Sequence, residues 1–184
     1  KRTADDYSSV NVLRPYSAYN IALKRRDPGP DGRLNTPDDG AMVTIYDYDP
    51  AFRGSAFVGN MNTNRPAGRN DYYQTVEATL NKRSTGRWGV LTSFAVTKNH
   101  RWLVGIPLSP NDEYFPLDAT WQWDYKINGS YRFPHGFLVG ALFDVLNGAP
   151  GQRTYVFRAT DPDGGPPLRQ QTTVTLRLEP YGTQ

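Results

Sequence analysis

The stretch from Trp121 to Phe133 reads Trp-Gln-Trp-Asp-Tyr-Lys-Ile-Asn-Gly-Ser-Tyr-Arg-Phe. Successive side chains of an extended chain point to opposite sides, so this stretch has one apolar, aromatic side and one polar, charged side. It is longer than an ordinary strand of about five or six residues, and it reaches the roughly 9–11 residues that a tilted strand needs to cross a bilayer. Aromatic residues stand at both ends of the apolar side. Membrane barrels carry their interfacial girdles at these positions.

Seven other segments alternate in the same way or are rich in strand-forming residues, and no window carries the stripe of an amphipathic helix. The sequence therefore predicts an all-β fold, a long antiparallel meander of about eight strands. The predicted strands cover residues 19–23, 42–48, 72–83, 88–96, 121–133, 137–146, 153–160 and 170–179.

The connections between these segments alternate in length. Short turns at 84–87 and 134–136 contrast with the long loops 28–40, 49–70 and 99–119. Outer-membrane barrels combine short periplasmic turns with long extracellular loops in this way. We therefore expect residues 1–184 to be a fragment of one transmembrane β-barrel domain, with these three loops outside the cell and no plug domain.

The composition excludes several other classes of protein. Hydrophobic residues make up 38% of the chain and the mean hydropathy is −0.65, which is too polar for a bundle of membrane helices. Because the chain has no cysteine, it has neither disulfides nor thiolate metal sites. The net charge of +3 is spread without a basic block, so no nucleic-acid partner is expected.

The apolar sides of the segments 121–133 and 137–146 are predicted to face lipid. A sandwich core about 10 Å thick would be overfilled by so many large rings on one strand, whereas lipid sets no such limit. The alternative, a soluble sandwich that buries these residues against a second sheet, stays open at this point. The predicted lipid-facing residues are Trp121, Trp123, Tyr125, Ile127, Tyr131, Phe133, Phe137, Val139 and Phe143.

The loop from Asp27 to Gly40 imitates a calcium-binding loop. Its first twelve residues carry oxygen donors at positions 1, 5, 9 and 12 and a glycine at position 6, the spacing with which carboxylate and carbonyl oxygens wrap the ion. Position 3 is a glycine and position 12 is an aspartate, which weakens the match, and a turn cluster in a solvated loop is the alternative. The candidate calcium ligands are Asp27, Asp31, Asn35, Asp38 and Asp39; no other cofactor is expected.

Catalytic patterns are missing from the sequence. The two histidines, His100 and His135, lack a metal-ligand partner at useful spacing. The adjacent carboxylates Asp112 and Glu113 would point to opposite sides of an extended chain, which is poor geometry for an acid–base pair. Neither a nucleophile elbow nor a phosphate or dinucleotide loop occurs. We therefore do not expect an enzyme.

The order of several motifs resembles the barrel of TonB-dependent outer-membrane receptors, in the branch whose N-terminus carries a carboxypeptidase-regulatory-like domain. The matching segments are Asp27 to Gly40, Asn70 to Arg83 with Trp88 to Phe94, Trp123 to Gly136, and Asn147 to Arg153. Such receptors have 22 strands around a plugged lumen. Since this chain has about eight predicted strands and no readable plug or TonB box, the resemblance implies that it is an internal or late part of the barrel.

The resemblance implies that the parent protein takes up a nutrient through the outer membrane of a Gram-negative-type bacterial cell. Its partners would be the lipid bilayer, the rest of the barrel, the plug, and TonB through the parent chain. Three alternatives remain open: a soluble cell-surface β-sandwich that binds carbohydrate or calcium, a complete eight-stranded membrane barrel, and a structural fragment or subunit of a larger membrane assembly.

Overall fold

The computed structural model describes residues 7–12, 14–83 and 85–184, so residues 1–6, Leu13 and Ser84 of the predicted 84–87 turn lie outside it. Over this range the chain is all-β, and its only helices are short 3-10 turns, none of them long and apolar enough to span a membrane. The strands are β1 (Tyr7–Val12), β2 (Ile21–Arg26), β3 (Met42–Asp47), β4 (Gly59–Asn64), β5 (Tyr72–Lys82), β6 (Trp88–Trp102), β7 (Leu117–Asp118), β8 (Trp121–Arg132), β9 (Leu138–Leu146), β10 (Thr154–Arg158) and β11 (Thr173–Arg177). The 3-10 turns are Tyr16–Ala18, Pro50–Phe52, Ser55–Phe57, Pro110–Glu113 and Pro134–Gly136.

The chain divides into two compact units. The first contains residues 1–70, 102–118 and 151–184, and the second contains residues 71–101 and 119–150. The two units differ in the burial of their apolar residues. The first unit has a core of buried apolar side chains, whereas the second unit is a sheet whose large apolar side chains are exposed.

Three antiparallel pairs build the first unit: β1 with β4, β2 with β3, and β10 with β11. In β11 the alternation is simple, since Val174 and Leu176 are buried while Thr173 and Thr175 are exposed. The two buried side chains of β11 pack with side chains from β3, β10 and the segments that flank these strands. The resulting core consists of Ile45, Phe157, Leu168, Val174, Leu176 and Leu178.

Removing one methylene from this core tests its packing. Ile45 is fully buried, so Ile45→Val should lower the free energy of unfolding of the first unit by about 0.5–1.5 kcal/mol, because a small void replaces the lost group. Urea denaturation followed by circular dichroism measures this change. A neutral effect would contradict the assignment of Ile45 to a tightly packed core.

Buried polar side chains connect the loops of the first unit to β3. The Asp47 carboxylate is buried and accepts hydrogen bonds from the backbone N–H groups of Tyr48, Arg169 and Gln170, at 2.7–2.9 Å, and from the amide of Gln171 at 3.3 Å. Four donors replace the water that this charge loses on burial. Residues 169–171 are thereby fixed against the end of β3.

The second unit is an antiparallel sheet with the strand order β5-β6-β8-β9. The four main strands have 11, 15, 12 and 9 residues, well above the usual length of about five or six. Both short connections, β5 to β6 and β8 to β9, lie at one end of the sheet, which we call the short-turn end. The opposite end, where the chain enters β5 and β8 and leaves β6 and β9, is the long-connection end.

The eight predicted strands all occur, with boundaries that move by a few residues. They form four separate sheets rather than one continuous meander. Strands β1 and β4 fall in segments predicted as non-strand because Tyr-Ser-Ser-Val-Asn-Val and Gly-Asn-Met-Asn-Thr-Asn have little apolar alternation. Parts of the predicted loops 49–70 and 99–119 therefore contribute β4, the end of β6 and β7.

Candidate membrane-facing surface

The register of the second unit brings the apolar side chains of four strands to one side of the sheet. Ile127 of β8 lies opposite Thr92 of β6 and Phe143 of β9, and Val76 of β5 lies opposite Val96. Since paired residues share a side, these ladders join the alternate residues of each strand into one surface. This apolar face consists of Tyr72, Val76, Ala78, Leu80, Trp88, Val90, Phe94, Val96, Trp121, Trp123, Tyr125, Ile127, Tyr131, Val139, Ala141, Phe143 and Val145.

Most of the predicted lipid-facing residues are exposed to solvent in the chain. Trp121, Tyr131, Phe133, Phe137, Val139 and Phe143 are exposed, Trp123 retains 38% of its accessible surface, and Tyr125 and Ile127 are half-buried. None of the nine is enclosed as a core residue would be. A row of exposed apolar residues of this size marks an interaction surface rather than the scattered exposure of ordinary proteins.

Large rings on the apolar face gather at its two ends. Tyr72, Trp121 and Trp123 lie at the long-connection end, and Trp88 and Tyr131 lie opposite each other at the short-turn end, with Phe133 just beyond. The ring of Phe133 packs edge-on against Tyr131, with centroids 4.8 Å apart. The middle of the face carries Val, Ala, Ile and Phe side chains.

Each aromatic end of the face carries a lysine that lies over a tryptophan ring. The ammonium of Lys82 is 3.6 Å from the ring centroid of Trp88 at the short-turn end, and that of Lys98 is 5.4 Å from the ring of Trp121 at the other end. A lysine with an apolar stem beside a tryptophan can keep its charge in water while its methylene groups cover apolar surface.

No charged residue lies on the apolar face between these two lysines, among the strand residues that the structure describes. The polar groups in the middle of the face are the hydroxyls of Tyr125 and Thr92, and that of Thr92 donates a hydrogen bond to the carbonyl oxygen of Lys126 at 3.0 Å. Because its hydroxyl is paired within the sheet, Thr92 can face an apolar environment at little cost.

The opposite side, the polar face, carries hydroxyl, amide and charged groups. Lys126 and Asp124 approach to 3.8 Å, and the hydroxyls of Thr75 and Thr97 are hydrogen-bonded at 2.9 Å. Near the long-connection end a groove of about 360 Å³ lies between Gln122, Asp124 and the segment 146–149. The face also holds exposed leucines from β6 and β9, namely Leu91, Leu138, Leu142 and Leu146.

The five candidate calcium ligands lie in the first unit, in a loop whose carboxylates accept hydrogen bonds from the chain. Asp39 accepts the backbone N–H of Asn35 at 2.9 Å, and Asp38 accepts that of Asp31 at 3.3 Å. The turn requires glycine at Gly29, because an added Cβ would lie 2.3 Å from the carbonyl oxygen of Asp38. Calcium binding by this loop stays a prediction.

Asp27 has a strong partner that is distant in sequence. Its two carboxylate oxygens each accept a hydrogen bond of 2.7 Å from the guanidinium of Arg153, and one also accepts the N–H of Gly29 at 3.0 Å. These hydrogen bonds, those from Arg153 above all, lower the pKa of Asp27 below its ordinary value despite burial, which acts in the opposite direction. The ion pair thereby holds the start of the loop to the segment before β10.

The lowered pKa makes this part of the chain sensitive to acid. A carboxyl group whose pKa is lower in the folded than in the unfolded state stabilises the fold above about pH 4, and that contribution is lost as the pH falls through the folded-state pKa. We therefore expect the stability difference between the natural chain and Asp27→Asn to shrink as the pH falls below about 4. Thermal unfolding at a series of pH values measures it, and a difference that stays constant to pH 2 would contradict the shift.

The histidines are placed as structural residues. His100 stacks on Tyr72 with ring centroids 4.3 Å apart, and His135 occupies the β8–β9 turn with a φ of 71°. Within the described ranges no three His, Cys, Asp or Glu side chains come together as a metal-binding group.

Sequence reasoning missed both lysine–tryptophan pairs and the contribution of β5 to the apolar face. Lys82 and Trp88 belong to different strands, as do Lys98 and Trp121, so only the strand register brings them together. For the first pair the available signal was a lysine near the end of the alternating segment 72–83, just before a segment that begins with a tryptophan; Lys98 lies beyond the predicted segment 88–96 and carried no such signal.

Comparisons with protein-family models, with curated proteins and with solved structures found no match for this chain.

Proposed function

We propose that the second unit is a section of the wall of an outer-membrane β-barrel, and that the chain is part of a TonB-dependent nutrient transporter in the bacterial cell outer membrane. The observation that carries the barrel part of this proposal is the apolar face, bounded at each end by aromatic rings and a lysine–tryptophan pair. The transporter part rests on the resemblance of the sequence motifs. The three long loops then face the outside.

The height of the apolar face supports a bilayer as its partner. Trp121 and Tyr131 are ten residues apart on β8, which corresponds to ~33 Å along a strand at about 3.3 Å per residue. With the usual tilt of about 35–45°, the span across the bilayer becomes about 25 Å, which is the height of the apolar band of outer-membrane barrels. Tryptophan and lysine at both limits of the band match the preference of these side chains for the membrane–water interface.

The edges of the sheet support a larger barrel. Within the described residues β5 pairs only with β6, and β9 pairs only with β8, so two long strands leave one row of backbone groups unpaired. Lipid offers no hydrogen bonds to such groups, and a sheet in a membrane must therefore close. We propose that strands outside this chain complete the barrel, supplied by the rest of the parent protein in the cell and by further copies of this chain when it is inserted alone into vesicles, and that the plug covers the leucines of the polar face.

In this proposal the parent protein binds its nutrient at the outer loops and admits it when TonB displaces the plug. The polar face lines the lumen. The calcium prediction belongs to the loop 27–40, where an ion would stiffen an extracellular segment.

A second candidate is a soluble cell-surface β-sandwich that binds carbohydrate or calcium. The core of the first unit favours it, because six buried apolar residues around Ile45 and Leu176 are what a self-contained β module needs. This candidate predicts a monomer that dissolves without detergent.

Depth-dependent quenching of tryptophan fluorescence tests the membrane assignment. Single-tryptophan variants that retain Trp88 or Trp121, reconstituted in phosphatidylcholine vesicles, should be quenched best by bromine placed high on the lipid chains. An added tryptophan at Ile127, in a background without the other four, should be quenched best by bromine near the chain ends. If acrylamide in the water quenches all three tryptophans equally and the brominated lipids quench none of them, the proposal is contradicted.

A further inference from the structure

The short-turn end of the sheet is rich in positive charge. Residues 82–88 and 131–137 include Lys82, Arg83, Arg87, Arg132 and His135, and neither stretch contains an aspartate or glutamate. At the long-connection end, by contrast, both signs occur close to the strand ends, with Asp71, Lys98, Arg101 and Asp118. The charge at the short-turn end is therefore a local feature of a chain whose net charge is only +3.

Three of these cations lie where β5 ends and β6 begins, and one of them, Lys82, is on the apolar face. Lys82 shares that face with Trp88 and also donates a hydrogen bond to the Trp88 carbonyl oxygen at 3.3 Å. Arg83 and Arg87 are exposed in the turn that follows β5. Arg132 is on the polar face and lies opposite Arg87, whose carbonyl oxygen accepts a hydrogen bond from the backbone N–H of Arg132.

Next to these cations the apolar face has a shallow hollow of about 380 Å³. Gly129 lies opposite Val90 and Ala141, and these three residues form the floor of the hollow next to the paired rings of Trp88 and Tyr131. A hollow with apolar walls and a cationic rim combines the two properties that a phospholipid needs, a place for an acyl chain and a partner for its phosphate.

We propose that the short-turn end binds anionic phospholipid, with the headgroup phosphate against Lys82, Arg83 and Arg87 and an acyl chain in the hollow at Gly129. This inference rests on the proposed function, because the apolar face must meet hydrocarbon for the hollow to hold a lipid chain. Such binding orients the sheet in the membrane and selects the lipids around it. Charge attraction of this kind falls off within a Debye length and weakens in salt.

Flotation with two kinds of vesicle separates this inference from the proposed function. The full chain is mixed with vesicles of phosphatidylcholine alone, or of phosphatidylcholine with 30 mol% phosphatidylglycerol, and its partition coefficient is measured in each. We expect the anionic vesicles to be preferred on the order of 100-fold, about fivefold for each of three cations at the membrane surface. The preference for anionic vesicles should decrease when the sodium chloride concentration is raised.

The triple variant Lys82→Gln, Arg83→Gln, Arg87→Gln should lose this preference while it still partitions into phosphatidylcholine, which shows that it is folded. The control Lys98→Gln, which removes the lysine over the Trp121 ring at the other end of the same face, should keep most of the preference. If the triple variant prefers anionic vesicles as strongly as the natural chain does, or if the natural chain shows no such preference, the inference is overturned and the proposed function is unaffected. Failure of the natural chain to enter either kind of vesicle overturns the proposed function as well.

Discussion

Phe143→Arg should destabilise the membrane-inserted chain by about 2–4 kcal/mol, whereas Leu142→Arg should cost about 1 kcal/mol or less. The two residues are neighbours on β9 and both are large, apolar and exposed, at 57% and 73% of their accessible surface. Phe143 belongs to the apolar face opposite Ile127, near the middle of β8, and Leu142 belongs to the polar face opposite Asn128. In the proposed barrel an arginine at Phe143 therefore enters hydrocarbon, and one at Leu142 enters the lumen.

Urea unfolding of the two variants in phosphatidylcholine vesicles measures the difference. A protein that is soluble in water gives no reason for two adjacent exposed residues to respond differently to the same charge. Val139→Lys and Asn128→Lys form a second matched pair with the same expected order. Equal costs at Phe143 and Leu142 would show that the apolar face does not meet lipid.

Arg153→Met should lower the free energy of unfolding of the first unit by about 3–5 kcal/mol. The side chains of Arg153 and Asp27 are only 17% and 11% exposed, and two hydrogen bonds of 2.7 Å join them. Removal of the guanidinium leaves the Asp27 carboxylate desolvated and without its counter-ion, which is more costly than the loss of an exposed pair. Chemical denaturation monitored by a probe in the first unit gives the value.

Arg26→Met is the matched control, because it removes an arginine from a similar pair that is open to solvent. Arg26 and Asp163 are 3.6 Å apart and are 41% and 30% exposed, so a change within about 1 kcal/mol is expected. In a double variant, Asp27→Leu with Arg153→Met, an apolar contact should recover part of the lost stability. A loss at Arg153 no greater than at Arg26 would contradict the role assigned to the pair.

Strands with strict alternation could be predicted from the sequence, and strands without it could not. The stretch from Trp121 to Phe133 predicts β8 almost to the residue, because each of its side chains is of the right kind for its side. Strands β1 and β4 pair with each other through six residues each, but their sequences are rich in Ser, Asn and Thr. Their pairing depends on contacts distant in sequence that a single segment does not reveal.

The same limit applies to the site residues. The nine predicted lipid-facing residues follow from the alternation within each of two segments, 121–133 and 137–146, which can be read from the sequence alone. The lysine–tryptophan pairs depend on register between strands. The carboxylates of the loop 27–40 fit a calcium spacing in sequence, but the partner of Asp27 is Arg153, 126 residues further along the chain.

Exposure on both sides of the second unit is the feature that a soluble fold explains least well. A sheet in water needs at least one buried side to be stable, yet Val76, Leu80, Phe143 and Leu142 are all exposed. A barrel wall resolves this, because lipid covers one side and the contents of the lumen cover the other.

Spin-label accessibility along β9 tests the central claim most directly. The chain has no cysteine, so single-cysteine variants from Leu138 to Leu146 each carry one nitroxide. In phosphatidylcholine vesicles we predict that accessibility to oxygen, which concentrates in hydrocarbon, rises at Val139, Ala141, Phe143 and Val145 and falls at the positions between them. Accessibility to a water-soluble nickel complex should stay low at those four positions. Equal access of the nickel complex to both sets of positions would contradict the account.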